Sequence, residues 1–238
     1  MSQTHGHSQQ EIEDRIANPP GRGLLRDVVY GGIDGSVTTF AIVAGVAGAG
    51  LSPFVIVALG IANVLADGFS MAAGNFLGTK AELDDAKRLR AVEKRHLTEH
   101  PRGERREIRE ILRLKGLDGE VLEAATDAIV ANEEAAVQLM LEGEYGLAGF
   151  DPHPHRAAIA TFLAFLVAGL IPLLPFLFGV PEAFRVSAVL TCATFFGIGA
   201  MKAKWSLDPW WRSGLETLAI GGVAAAIAYG VGSLFNVG

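Results

Sequence analysis

The feature that most constrains this chain is the length of its charge-free stretches. Residues 157–180 hold 24 consecutive uncharged positions, 217–238 hold 22, 186–201 hold 16, and 28–66 carry a single charge, Asp34, in 39 positions. A helix needs about 20 apolar residues to cross a ~30 Å hydrocarbon core. A water-soluble globule is therefore excluded, and the expected class is an all-α integral membrane protein with the lipid bilayer as its first partner. Charge is concentrated elsewhere: of 46 charged side chains, 29 lie between residues 79 and 155. The single cysteine, Cys192, excludes an intrachain disulfide and a thiolate metal cluster. A net charge of −6 argues against nucleic acid as a partner.

The 28–66 stretch is too long for one crossing, and Gly48-Ala49-Gly50-Leu51-Ser52-Pro53 supplies the break. A first helix is predicted over 28–50. A second starts at Pro53, where a first turn tolerates proline, and reaches about Gly78 before running on into charged sequence. Three more are predicted near 157–180, 183–203 and 214–236, the first of these kinked by Pro172 and Pro175, which lack a backbone donor. Residues 1–27 form a polar tail, 28–78 the first two spans, 79–155 an inserted helical domain, and 156–238 spans three to five. With five spans, Lys and Arg are distributed 19 against 1: residues 1–30, 79–156 and 202–213 hold 3, 13 and 3, and Arg185 stands alone on the other side. Positive charge marks the cytoplasmic side, so the N-terminus and the insert between helices 2 and 3 are expected to be cytoplasmic. No signal peptide is visible in the polar residues 1–23. His5 and His7 in that stretch are expected to sit in a disordered tail, with metal binding as the alternative.

Two carboxyls fall at membrane depth: Asp34, in Tyr30-Gly31-Gly32-Ile33-Asp34-Gly35, and Asp67, in Asn63-Val64-Leu65-Ala66-Asp67-Gly68-Phe69-Ser70-Met71. Ionisable groups there face a bundle interior or an aqueous path, because hydrocarbon disfavours the charge by several kcal/mol. Asn63, Asp67 and Met71 share a helix face at spacings of four, and Asp34, Thr38, Ala41 and Gly45 make a matching stripe on the first helix. Asp34 lies eight residues from Arg26 and Met71 nine from Lys80, about 12 and 14 Å of rise, which brings a carboxylate and a thioether to a common depth. That donor mixture suits a borderline transition metal better than Mg²⁺ or Ca²⁺; plain packing is the alternative for Met71. For Asp67 the alternatives are proton binding, support of Asp34 and a structural inter-helix hydrogen bond.

In the insert, helices are predicted over Thr79 to His100, continuing span two, then Gly103 to Lys115, Asp118 to about Asn132, and Glu133 to Gly146. Glu93 and His96 share a face, as do Glu104 and Glu107, with Glu110 three positions further. Met140 and Glu144 lie on the last helix. Chelating clusters are sterically feasible; the alternative is a solvated, salt-bridged surface, which interleaved arginines also produce. Glu93-x-x-His96 resembles half of a di-iron bundle motif, but a second copy is lacking in the sequence, which disfavours di-iron oxidation within one chain, although a dimer would supply the second copy. An enzyme is therefore not expected.

The Tyr30–Gly35 motif, the segment Ala62-Asn63-Val64-Leu65-Ala66-Asp67-Gly68-Phe69-Ser70-Met71-Ala72-Ala73-Gly74, and the Glu-rich insert with Arg109-Glu110-Ile111 and Lys115-Gly116 together resemble the vacuolar iron transporter family, from about Arg26 onward. The resemblance implies five transmembrane helices per subunit, a homodimer with the ion path at the subunit interface, and proton-coupled export of Fe²⁺ and related ions from the cytosol. It places the translocation aspartate on Asp34, the pathway methionine on Met71, and cytoplasmic metal-binding glutamates on Glu93, Glu104, Glu107 and Glu144. The family's paired methionines fall on Met140 and Leu141. Three positions depart from the pattern: His96 replaces a glutamate, Leu141 a methionine, and Asn63 a site that is acidic in some relatives. A neutral imidazole still ligates metal; a leucine does not.

The expected function is thus an Fe²⁺/H⁺ antiporter, with Mn²⁺, Co²⁺, Ni²⁺ and Zn²⁺ as alternative ions, since these donors accept several of them. The expected membrane is the cytoplasmic membrane of a prokaryote or a vacuole-type membrane of a eukaryote. A membrane-anchored iron sensor or storage module without transport is the competing reading.

Overall fold

The computed structural model describes residues 7–17, 23–148, 152–203, 206 and 208–235. Secondary structure among them is helical: α1 Gln9–Ala17, α2 Leu25–Gly48, α3 Pro53–Glu99, α4 Pro101–Leu114, α5 Gly119–Val130, α6 Glu133–Gly143, α7 Pro154–Leu170, α8 Leu174–Leu177, α9 Ala183–Lys202 and α10 Trp210–Leu234. Among the described residues, five stretches are long and apolar enough to cross a membrane: α2, α3, Pro154–Leu177, α9 and α10. The chain divides into two compact units. One comprises residues 23–78 and 153–238; the other comprises 79–152 with the described N-terminal residues, so that α3 contributes to both.

Within the first unit α2 is central, packing on α7, α10 and α9. Glycines allow this. A Cβ on Gly31 would strike the carbonyl of Thr161, and one on Gly35 would lie 2.5 Å from the Phe165 carbonyl oxygen. Gly31 and Gly35 thus let two turns of α2 lie directly on Thr161 and Phe165 of α7, the small-residue contact by which helices associate in lipid. Gly45 of α2 and Gly232 of α10 meet in the same way. Gly35→Ala is expected to destabilise the fold by about 1–3 kcal/mol through overpacking. Gly222→Ala, with open space around the added methyl, is expected to be neutral; unfolding midpoints in detergent check both.

The membrane half of α3 has two distinct sides. Ile56, Gly60, Val64, Gly68 and Ala72, four apart, are buried. Leu173 fills the space at Gly60, and Phe165 lies against Gly68. Ala58, Ala62, Ala66, Ser70 and Gly74 form a second row, and all are exposed. The proline-bearing stretch Ile171–Leu173 tightens into a 3-10 turn between α7 and α8. This is where the missing donors of Pro172 and Pro175 predicted a kink.

The second unit is built on Ile108, Ile111, Leu112, Leu122, Ala136 and Met140. Asn132 caps α6 by accepting from the Ala135 amide at 3.1 Å. The expectation of a disordered tail needs correcting, because Gln9–Ala17 is helical. Ser8 and Glu11 cap it reciprocally, the Ser8 amide donating to Glu11 Oε2 at 3.1 Å and the Glu11 amide to Ser8 Oγ at 3.4 Å. That Ser-x-x-Glu capping box was visible in the sequence. His7 precedes it, and His5 lies outside the described residues.

Candidate metal-binding sites

Two constellations form, one in each unit. In the first unit, α2 and α3 are tied by polar pairs. The Asn63 amide donates to Thr38 Oγ1 at 3.2 Å, and Thr38 donates its own proton to the Asp34 carbonyl at 2.8 Å. Further along, Asn75 donates to Asp27 Oδ1 at 2.8 Å and to Thr161 Oγ1 at 2.7 Å. These pairs fix the register. Between them, Asp34 and Asp67 come within electrostatic range of each other. Asp34 is half-buried and Asp67 exposed. Met71, half-buried, follows Asp67 by one turn, about 6 Å of rise. The α3 partner at the level of Asp34 is therefore Asp67, with Met71 offset by that turn.

In the second unit, Glu93 and His96 come from α3 and Glu104 from α4. Each offers a ligand atom within 4.8 Å of the others. Glu93 and Glu104 are 2% and 3% exposed, an unusual burial for carboxylates without a salt bridge to Lys or Arg among the described residues. Glu93 lies against Glu104, and Glu107 and Glu144 add negative charge. His96 Nδ1 lies 3.7 Å from Glu104. Burial, and after it the charge of Glu107, Glu93 and Glu144, pushes the Glu104 carboxyl up to about 7. Burial, and after it the charge of Glu107 and Glu93, also raises Glu144. One buried oxygen, Glu104 Oε2, has no hydrogen-bond partner among the described residues. An unpartnered buried carboxylate oxygen is costly, and a bound cation would relieve both the orphaned acceptor and the mutual repulsion. Carboxylate and imidazole donors suit divalent transition metals.

The arginines interleaved along α4 are drawn to another face. Arg105 pairs with Glu123 and Asp127 of α5 at 2.9 and 2.8 Å, and Arg109 with Glu123 at 2.6 Å. Glu110 pairs with Arg113 at 2.6 Å, so the third glutamate of the Glu104, Glu107, Glu110 series belongs to a surface ion pair. The salt-bridged surface and the carboxylate cluster are thus opposite aspects of one helix.

Residues 25–233 match the model of the VIT family. The chain belongs to the VIT family. Among relatives, vacuolar iron transporter 2 of rice is 33% identical over 214 residues, covering 87% of this chain and 86% of the relative. The vacuolar iron transporter of Toxoplasma gondii is 35% identical over 225 residues, covering 90% and 74%. Vacuolar iron transporter 1 of Arabidopsis thaliana is 32% identical over 212 residues, covering 87% and 84%.

In this VIT-family chain, Glu93, His96, Glu104, Glu107 and Glu144 converge. Met140 is fully buried in the apolar core of the unit, one turn before Glu144, whose amide donates to the Met140 carbonyl at 2.9 Å. Leu141 is buried as well. Three groups escaped the sequence reading. Asp27 and Asn75 were legible as extensions of the two polar stripes, seven residues before Asp34 and four after Met71. Tyr145 was not: its hydroxyl donates to Glu93 Oε1 at 2.8 Å across 52 positions of sequence. That contact, with burial secondary, pushes its own ionisation up to about 12.

Proposed function

We propose that the protein is a transporter, not an enzyme, which moves Fe²⁺ and divalent ions of the same class out of the cytosol in exchange for protons. The carrying observation is that half-buried Asp34 on α2 and exposed Asp67 on α3 come within electrostatic range of each other between the Asn63–Thr38 and Asn75–Asp27 hydrogen bonds. A carboxylate binds either a proton or a metal ion, so loading of one opposes the other. That competition is the minimum that exchange requires. The relatives named as iron transporters support iron as cargo, and Mn²⁺ is the nearest alternative by donor chemistry.

The working unit in this reading is a homodimer. Asp67 is exposed in the single chain beside the uncovered row Ala58, Ala62, Ala66, Ser70 and Gly74. Small residues at that spacing allow a second helix to approach closely, and a carboxylate facing lipid tails is strongly disfavoured. A second copy of the same row removes both problems and encloses the polar file. The N-terminus and the second unit face the cytosol in this reading, which the 19-to-1 distribution of Lys and Arg supports. There the Glu93, His96 and Glu104 cluster gathers ions for the path. A vacuole-type membrane matches the named relatives, and a bacterial cytoplasmic membrane would use the same topology.

Reconstituted vesicles test this reading. Fe²⁺ and Mn²⁺ flux is expected to rise when the receiving compartment is made acidic, and each ion moved is expected to carry protons the other way. Flux indifferent to the gradient would remove the coupling. The competing reading, a membrane-anchored sensor or store, is favoured by one observation: the cluster is complete within its own compact unit. Glu93→Gln with Glu104→Gln separates the two. A transporter retains flux at high metal concentration, and a sensor has none to retain.

A further inference from the structure

We propose that Tyr145 is a positioning residue for the carboxylate cluster of the second unit, occupying one oxygen of Glu93 so that the other is presented to a divalent ion. The proposal rests on reading that cluster as a metal-binding site. Glu93 sits on α3 and is almost fully buried, and the Tyr145 hydroxyl donates to its Oε1 at 2.8 Å. The terminal torsion of a glutamate is broad and weakly determined. Four carboxylates in one neighbourhood would turn away from each other unless something holds them. A donor on Oε1 restricts Glu93 to one plane and leaves Oε2 to accept a ligand bond.

The chemistry of the donor matters. Lysine or arginine at this position would also hold the carboxylate, but its positive charge would compete with the incoming cation. The phenol holds it while neutral. Its placement is built into the chain: α6 ends at Gly143, Gly146 adopts a left-handed φ of +68°, and the Leu147 amide donates back to the Leu141 carbonyl at 3.0 Å. This turn returns Tyr145 toward α3. Glycine is the residue that takes such a conformation without strain. Donors that orient metal ligands in this way typically change affinity by about 10–100-fold when removed.

The test compares the full-length protein with Tyr145→Phe and Glu104→Gln in lipid nanodiscs, using Co²⁺ as the probe, followed by calorimetry and its visible absorption. Tyr145→Phe is expected to weaken Co²⁺ binding by about tenfold and to alter the absorption band, with a modest drop in the metal-free unfolding midpoint because Glu93 Oε1 loses its donor. Wild-type affinity and spectrum in Tyr145→Phe, alongside loss of binding in Glu104→Gln, would overturn the positioning role and leave the metal site standing. A lowered metal-free midpoint with an unaltered Co²⁺ spectrum would make Tyr145 structural and overturn it equally. Failure of the wild-type protein to bind Co²⁺, or wild-type binding by Glu104→Gln, would instead remove the site on which the inference rests.

Discussion

Asp34→Ala is expected to bring proton-driven Fe²⁺ flux in reconstituted vesicles down to the level of protein-free vesicles, with assembly and membrane insertion unchanged. The side chain lies on the half-buried face of α2, and its backbone carbonyl, not its carboxylate, accepts the Thr38 hydroxyl. Removing the carboxylate therefore leaves the bundle's hydrogen bonds intact while deleting the group for which metal and proton compete. Asp67→Asn then resolves the role of its neighbour. If Asp67 carries a proton through the cycle, the variant loses its dependence on the pH gradient; if Asp67 only supports Asp34, the gradient dependence persists with a lower rate. Wild-type flux in Asp34→Ala would reject the path altogether.

A second large effect is expected in the other unit, where Glu104 is pushed up to about 7 by burial and by the neighbouring carboxylates. Its folded-state value exceeds the ordinary carboxylate range, so the metal-free fold favours the protonated form. That contribution is complete below about 4.5, the ordinary value, and is lost as pH rises through about 7. Metal binding has the opposite dependence because it requires the ionised carboxylate. Apparent Mn²⁺ affinity is therefore expected to rise about tenfold per pH unit between about 5 and 7 and then to level off, one proton being displaced per ion. In parallel, the metal-free unfolding midpoint falls over that interval, and added Mn²⁺ restores it most strongly at the alkaline end. Glu104→Gln, which cannot titrate, is expected to flatten both profiles. Calorimetry and thermal unfolding across pH check the pair, and a wild-type affinity independent of pH would contradict the assignment of Glu104 to the site.

Much of this could be read from the order of residues. Span length follows from hydrophobicity along the chain, which is why α2, α9 and α10 fall within a few residues of the predicted stretches. The insert's helix breaks follow from Pro101, Gly116 and Asn132, whose backbone and capping preferences are local. Candidate ligands were legible because intramembrane carboxyls and the Glu93 and Glu104 spacings are chemically unusual wherever they occur. The same local logic, applied to Ser8 and Glu11, would have found α1.

Tertiary structure alone decided which candidates meet. Helix rise placed Asp34 and Met71 at similar depth, yet the register set by Asn63–Thr38 and Asn75–Asp27 brings Asp67 opposite Asp34, one turn from Met71. Register depends on how closely helices approach and where they cross: Gly31 and Gly35 seat α2 on α7, while Gly60 and Gly68 let α3 lie against Leu173 and Phe165, so α7 and the turn after it position both helices. Likewise, spacing could not say that Arg105 and Arg109 would turn to Glu123 while Glu104 turned inward to Glu93, or that Tyr145 would reach α3. Those outcomes depend on the rotation of α4 about its axis once Ile108, Ile111 and Leu112 are buried. Hydrophobic burial chooses that rotation, and every polar group on the helix is carried with it.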